Sequence, residues 1–264
     1  MFITKIYIFI TTIMGKIQLV EFRGIVVRTF FSLIALQRGR RYLPRDISAK
    51  NVNLKSMVTF EPAALIENFQ LPVTGILHVG ANNGDTSPLY EAHSHVRVFA
   101  IEPVREIFKQ LESKVSGLAN VRAINVAIGL DQGHREINVA SNGGQSTSFL
   151  EPWRHRQLQP RVAFERKEKV RVERLESVGL DESINFWIID TQGTELEVLK
   201  SGSRQLDFAD FIYLEVNRGE TYRNCTRVQE LDSYLGEHGF SRRLTRWFIL
   251  WGDALYVRDT LELR

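Results

Sequence analysis

The sequence predicts an α/β fold: a mostly parallel seven-stranded sheet with helices on both faces, closed by a C-terminal antiparallel hairpin. Three observations predict it. From Gly75 onward, short β-rich runs alternate with helix-like stretches, the pattern of βαβ units. The first run leads into a glycine-bearing loop, Ile76-Leu-His-Val-Gly-Ala-Asn-Asn-Gly-Asp-Thr-Ser87, and an acidic residue closes the second, Val98-Phe-Ala-Ile-Glu102-Pro103. That order of parts grips a nucleotide-type cofactor at the edge of a parallel sheet. The last two β-rich runs have no helix between them, which predicts a hairpin.

Taken in order, the strands are expected over 76–79, 96–101, 121–128, 184–190 and 211–216. Pro88 fits the first turn of the first crossover helix, where its missing N–H is not needed. Residues 104–115 and 195–199 carry helical spacing, and a third helix over 229–239 ends at Gly239. The closing runs, 242–251 and 254–258, are expected to join through Gly252-Asp253. Between Gly129 and Leu175 the alternation lapses. There 136–140 and 170–175 read as extra edge strands, with Asn142-Gly-Gly144 as a turn.

Composition is that of a globular protein, with one substantial domain expected over 51–264 and an apolar, basic, helical extension over 1–50. The single Cys225 excludes an intramolecular disulfide and suits a reducing, cytoplasmic setting. No Cys/His cluster has metal-ligand spacing, so no metal is assigned, and Asn224-Cys-Thr226 is set aside as a chance glycosylation triplet. The net charge of +3 does not indicate a nucleic-acid protein, because the basic residues between Arg154 and Arg174 are interrupted by Glu165, Glu168 and Glu173, as on a solvated surface. The apolar runs 6–14 and 25–36 are too short to span a bilayer. With Arg38, Arg40 and Arg41 behind it, the second forms either a peripheral membrane contact through residues 1–45 or a segment packed on the domain. Met14 is an alternative start.

A dinucleotide fingerprint needs three glycines to bring backbone onto a pyrophosphate. Here Gly80-Ala-Asn-Asn-Gly84 supplies two glycines and two amides, and no Walker lysine follows. Such a loop suits a ligand without phosphates, such as S-adenosylmethionine, and Glu102 can accept hydrogen bonds from ribose hydroxyls.

Six blocks carry a family resemblance: Leu77 to Gly84, Ile101-Glu-Pro103, Asn125-Val-Ala-Ile-Gly129, Gln145-Ser-Thr-Ser148, Ile189-Asp-Thr-Gln-Gly-Thr-Glu-Leu-Glu-Val-Leu-Lys200 and Tyr213-Leu-Glu-Val-Asn217. In this order they resemble the FkbM family of S-adenosylmethionine-dependent methyltransferases. The resemblance implies the Rossmann-like class I methyltransferase fold and O-methylation of a small-molecule or glycan acceptor, such as a sugar, glycolipid or secondary metabolite hydroxyl. It departs from the family at His78, where Asp is common, and at Ile188, where Lys is common.

By resemblance, Gly80, Ala81, Asn82 and Gly84 would hold the methionine moiety, Glu102 beside Pro103 the ribose, and Asn125 to Ala127 the adenine. Asp190 and Glu215 stand at the carboxyl ends of strands, which face the ligand crevice, so either can orient or deprotonate an acceptor hydroxyl. His78 is a third candidate, near the amino-acid end of the cofactor. Two other readings stay open at this point: a non-catalytic cofactor-binding module, suggested by His78 and Ile188, and an NAD-dependent oxidoreductase, disfavoured by the missing third glycine. Acceptor specificity is expected in the loop 143–169.

Overall fold

A parallel strand between two helical layers must be apolar on both sides. Gly75–Val79 (β1) meets that condition, with every residue buried. In the computed structural model, which describes residues 60–263, it is an interior strand of the main sheet, third of seven. The readings placed on residues 1–50 lie outside the described residues. The other main-sheet strands are Arg97–Ile101 (β2), Val121–Ile124 (β3), Phe186–Ile189 (β7), Phe211–Asn217 (β8), Phe240–Trp247 (β9) and Trp251–Arg258 (β10). Their order is β3-β2-β1-β7-β8-β10-β9, with only the β10 pairings antiparallel. This is the seven-stranded arrangement the sequence predicts. The chain runs outward from β1 through β2 to β3, then returns to β7 on the other side, so the switch point lies between β1 and β7.

Alternation along each strand divides the core in two. Leu77 and Val79 face one cluster with the helices Glu195–Ser201 (α5) and Val228–Glu237 (α6), through Val198, Leu199, Leu231 and Leu235. Ile76 and Ile188 face the other, covered by Pro62–Phe69 (α1), Ser87–Ala92 (α2) and Arg105–Val115 (α3) through Leu65, Leu89, Tyr90 and Leu111. Pro88 occupies the first turn of α2, as expected. Among the described residues no helix is long and apolar enough to cross a membrane.

Three expectations are corrected. The run 121–128 is not one strand, because the chain turns at Asn125 and Ala127–Ile128 (β4) enters a second sheet. The extra strands, Gly133–Ala140 (β5) and Phe164–Glu173 (β6), do not extend the edge of the main sheet; they join β4 in the order β4-β6-β5. Ile137, Val139, Val170 and Val172 give this ribbon one apolar face, which closes over Val104 and Ile107 at the start of α3. The segment joining β5 to β6, which contains the short helix His155–Leu158 (α4), lies over the carboxyl end of the main sheet. Finally, the C-terminal hairpin turns at 248–250, with Gly252-Asp253 already inside β10. Gly252 is needed for strand approach instead: a Cβ there would sit 2.2 Å from the Arg246 carbonyl oxygen.

Candidate active site

A cleft opens at the carboxyl ends of β1, β2 and β7, bounded on its far side by the insertion between β5 and β6. Its floor is the glycine loop. The N–H groups of Gly80 and Ala81 both donate to the Ile101 carbonyl, at 3.0 and 2.9 Å, which binds the loop to the end of β2. Gly80 has φ +84°, and its missing Cβ would lie 1.9 Å from the Asp190 carbonyl oxygen, so the ends of β1 and β7 approach as closely as glycine permits. Asn82, also left-handed at φ 48°, donates from Nδ2 to the Gly143 carbonyl at 3.2 Å and so ties the loop to the insertion.

Glu102 follows β2 and is buried. Its two carboxylate oxygens accept from the N–H of Asn82 (3.1 Å) and of Val104 (2.9 Å), which fixes the carboxylate at the cleft wall. Burial nevertheless pushes it up to about 7, the backbone donors opposing only in part.

Asp190 follows β7, level with Glu215 on β8, Asp253 on β10 and Arg246 on β9, so that four side chains form a row across one face of the sheet. Gln192 Nε2 donates to Asp190 Oδ1 and to Glu215 Oε2, both at 2.7 Å. Arg246 pairs with Asp253 at 3.0 Å. Asp190 keeps access to solvent through the cleft, yet the surrounding protein raises its carboxyl above the usual value, with Glu61 adding to the effect. Burial, then the charges of Asp190, Glu195 and Asp253, hold Glu215 well above the carboxylate range. Burial carries Asp253 to about 6 against the pull of Arg246.

The cleft contains most of the residues expected there: His78, Gly80, Ala81, Asn82, Glu102, Pro103, Ala127 and Asp190. Three stand behind it. Gly84 packs against Leu111 of α3, its missing Cβ 3.0 Å from Leu111 Cδ1. Asn125 donates to the carbonyls of Glu102 and Pro103, both at 2.9 Å, and so supports the end of β2 from outside. Glu215 meets the cleft only through Gln192. His78 Nδ1 is 2.6 Å from the Tyr90 hydroxyl, and burial lowers the imidazole to about 4, which leaves it neutral near pH 7.

Gln192 and Tyr222 join the site without being among the residues the sequence points to. The first sits in the same motif as Asp190 and was legible there as a polar residue at a strand end. Tyr222, in the segment after β8, carries no signal in the sequence, and only the fold brings its hydroxyl within 3.0 Å of Gln192 Oε1.

Glu195, the first residue of α5, is fully buried. Its Oε1 accepts from the N–H groups of Thr191 (3.2 Å) and Gly193 (2.9 Å), Oε2 has no partner, and burial raises the group to about 7. In the unfolded chain it titrates near 4.5. Between those values the folded state holds a proton the unfolded state has released, so this group's contribution to stability falls as pH rises from about 4.5 to 7. Glu195→Gln removes that titration. Melting temperatures of the two proteins, compared at pH 5 and pH 7.5, are expected to move in the variant's favour at the higher pH; a pH-independent difference would contradict the assignment.

The donor set selects the cofactor class. No Lys or Arg lines the cleft among the described residues, whereas Asp85, Glu102 and Asp190 do. A pyrophosphate would meet carboxylates here, while a ligand with a sulfonium, an ammonium and ribose hydroxyls meets compatible acceptors. The side chains of Val126, Ile128, Ile137 and Phe149 offer an apolar wall for a base.

A profile of the methyltransferase FkbM domain matches residues 78–242. The chain belongs to the FkbM methyltransferase family. It is 27% identical over 201 residues to the 2-O-methyltransferase NoeI of Sinorhizobium fredii, covering 72% of this chain and 80% of that one. Among solved structures, the magnesium protoporphyrin IX methyltransferase ChlM of Synechocystis PCC 6803 with bound SAM covers 92% of this chain and 100% of its own at 15% identity, with a TM-score of 0.45. TrmK of M. capricolum with S-adenosyl-homocysteine covers 74% and 67% at 11% identity, with a TM-score of 0.43. This FkbM protein is an S-adenosylmethionine-dependent methyltransferase, and its cofactor is S-adenosylmethionine.

Proposed function

We propose that this FkbM methyltransferase methylates a hydroxyl of an uncharged, polyhydroxylated acceptor, a sugar or glycan, glycolipid or secondary metabolite, with Asp190 as the proton acceptor. The observation that carries the reading is the placement of Asp190: at a strand end, on the cleft floor, with Oδ1 held by Gln192 and solvent access retained. The name of the relative NoeI, a 2-O-methyltransferase, supports a hydroxyl acceptor. The absence of a lining cation among the described residues argues against phosphorylated or carboxylated acceptors.

Bound S-adenosylmethionine supplies a methyl group already activated on a sulfonium. The protein aligns the acceptor oxygen with it, which provides much of the rate. Asp190 would take the hydroxyl proton as the methyl carbon passes to the acceptor oxygen and its bond to sulfur breaks, the electron pair staying on sulfur. Gly80, Ala81 and Asn82 line the end that receives the amino-acid moiety, Glu102 and Pro103 the ribose, and Ala127 the base, with Gly84 and Asn125 bracing them from behind. His78, engaged by Tyr90, forms wall and does not serve as the base.

Transfer of labelled methyl from S-adenosylmethionine to a panel of neutral glycosides and their phosphorylated counterparts tests the reading. Methylation of oxygen on neutral members is expected; preference for the phosphorylated members, or transfer to nitrogen, would defeat it. Calorimetric titration with S-adenosylhomocysteine should show Glu102→Gln weakening binding roughly 10- to 150-fold, the equivalent of about 1.5–3 kcal/mol for hydrogen bonds to a charged acceptor. Unchanged affinity would remove Glu102 from the ribose site.

A further inference from the structure

We propose that Gln192 is the positioning residue for Asp190: its amide nitrogen bridges Asp190 and Glu215, and the tie from Ser148 to its backbone carbonyl holds the residue where the bridge requires it. The inference rests on the reading of Asp190 as the proton acceptor.

A side-chain amide has two N–H donors and one carbonyl acceptor. In Gln192 all three positions are engaged. The two donors go to Asp190 Oδ1 and Glu215 Oε2, each at 2.7 Å. The acceptor lies 3.0 Å from the Tyr222 hydroxyl, whose single proton it shares with the Ser146 carbonyl. A flipped amide would aim its oxygen at two carboxyl groups, so the bridge itself selects one orientation. The backbone is equally constrained. Gln192 has φ 54°, and its carbonyl accepts from Ser148 Oγ at 2.8 Å, which fastens the residue to the insertion over the cleft. Tyr222 is itself buried, with its hydroxyl 2.9 Å from the Ser146 carbonyl.

The arrangement does two things for the base. It engages Oδ1, which sets the carboxylate plane and leaves Oδ2 as the oxygen for the acceptor proton. It also stabilises the ionised form with a neutral donor. A lysine at the same place would neutralise the charge and weaken the base. The other groups around Asp190 act differently: Glu61 brings negative charge, Glu215 is itself held above the carboxylate range, and Arg246 is occupied with Asp253. Gln192 is the neighbour that favours the carboxylate form.

Carboxyl ¹³C resonances of labelled protein saturated with S-adenosylhomocysteine report the titration of Asp190 directly, with assignment from Asp190→Asn. Gln192→Met removes the amide at similar length, and Tyr222→Phe removes the hydroxyl beside it without touching the backbone. The Asp190 midpoint is expected to rise by about one pH unit in Gln192→Met and by less in Tyr222→Phe. S-adenosylhomocysteine affinity should stay within about threefold. Transfer to whichever glycoside of the panel is methylated should fall roughly 10- to 100-fold in kcat for Gln192→Met. An unmoved midpoint in both variants overturns the proposal, even where kcat falls, since a purely structural role would lower rate without altering the titration. Failure of the underlying reading looks different: Asp190→Asn would then retain transfer, whatever Gln192→Met does to the midpoint.

Discussion

Asp190→Asn is expected to lower kcat by about 10²- to 10⁴-fold, the usual contribution of a general base, with S-adenosylhomocysteine affinity unchanged within a few-fold. The substitution is mild in structural terms. Asparagine keeps the volume and can present Oδ1 to Gln192 Nε2, so the bridge to Glu215 can survive. What disappears is the capacity to receive a proton. The pH profile gives an independent reading. Protein atoms around the cleft raise the Asp190 carboxyl, so the wild-type activity should fall with decreasing pH through a midpoint above the ordinary aspartate value near 3.8. That acidic limb belongs to the carboxylate and must vanish with it. Stopped-time assays with labelled cofactor across pH 5–9, on wild type and variant, provide both numbers. Retention of more than a tenth of the wild-type kcat, with the limb intact, would move the role of base away from Asp190.

The division between what the sequence shows and what it conceals follows from how local each signal is. The strands β1, β2, β7 and β8 are short apolar runs that each need two covered faces, a property written into consecutive residues. The glycine loop and Glu102 are likewise local. They are legible because a strand end, a tight turn and an acid at fixed spacing leave few alternatives. Asn125 illustrates the opposite case. It lies in a motif beside the cofactor segment, yet its amide turns outward to the carbonyls of Glu102 and Pro103, and only the turn that separates β3 from β4 decides that. The small sheet was misplaced for a related reason. Alternation in β5 and β6 identifies strands with one apolar face but does not say which surface covers it, and Val104 with Ile107 provides that surface. Tyr222 reaches Gln192 across 30 positions of chain, a contact without sequence spacing to announce it.

The largest structural effect is expected at Gly80. Alanine there would require a Cβ 1.9 Å from the Asp190 carbonyl oxygen, in a backbone held at φ +84°. Neither neighbour can yield cheaply. The Asp190 carbonyl belongs to the strand end that β1 holds through Asp190 N–H to the Val79 carbonyl at 3.0 Å, and the loop is fixed by two N–H groups on the Ile101 carbonyl. Strain at a left-handed residue costs about 1–3 kcal/mol and overpacking a further 1–3 kcal/mol, so Gly80→Ala should destabilise by roughly 2–6 kcal/mol. At about 2–4 °C per kcal/mol for a domain of this size, Tm should fall by about 4–24 °C. Gly179 provides the internal comparison. Its φ of +78° is similar but no atom lies within 4 Å of its missing Cβ, so Gly179→Ala should cost only about 1–2 kcal/mol. The difference between the two variants isolates the β1–β7 contact from the backbone strain they share. Because the same contact sets the distance between the cofactor loop and Asp190, Gly80→Ala should also lose more than about 100-fold in S-adenosylhomocysteine affinity, while Gly179→Ala binds as wild type. Equal melting temperatures for the two would mean that the ends of β1 and β7 can separate at little cost, and that the cleft is not built on their contact.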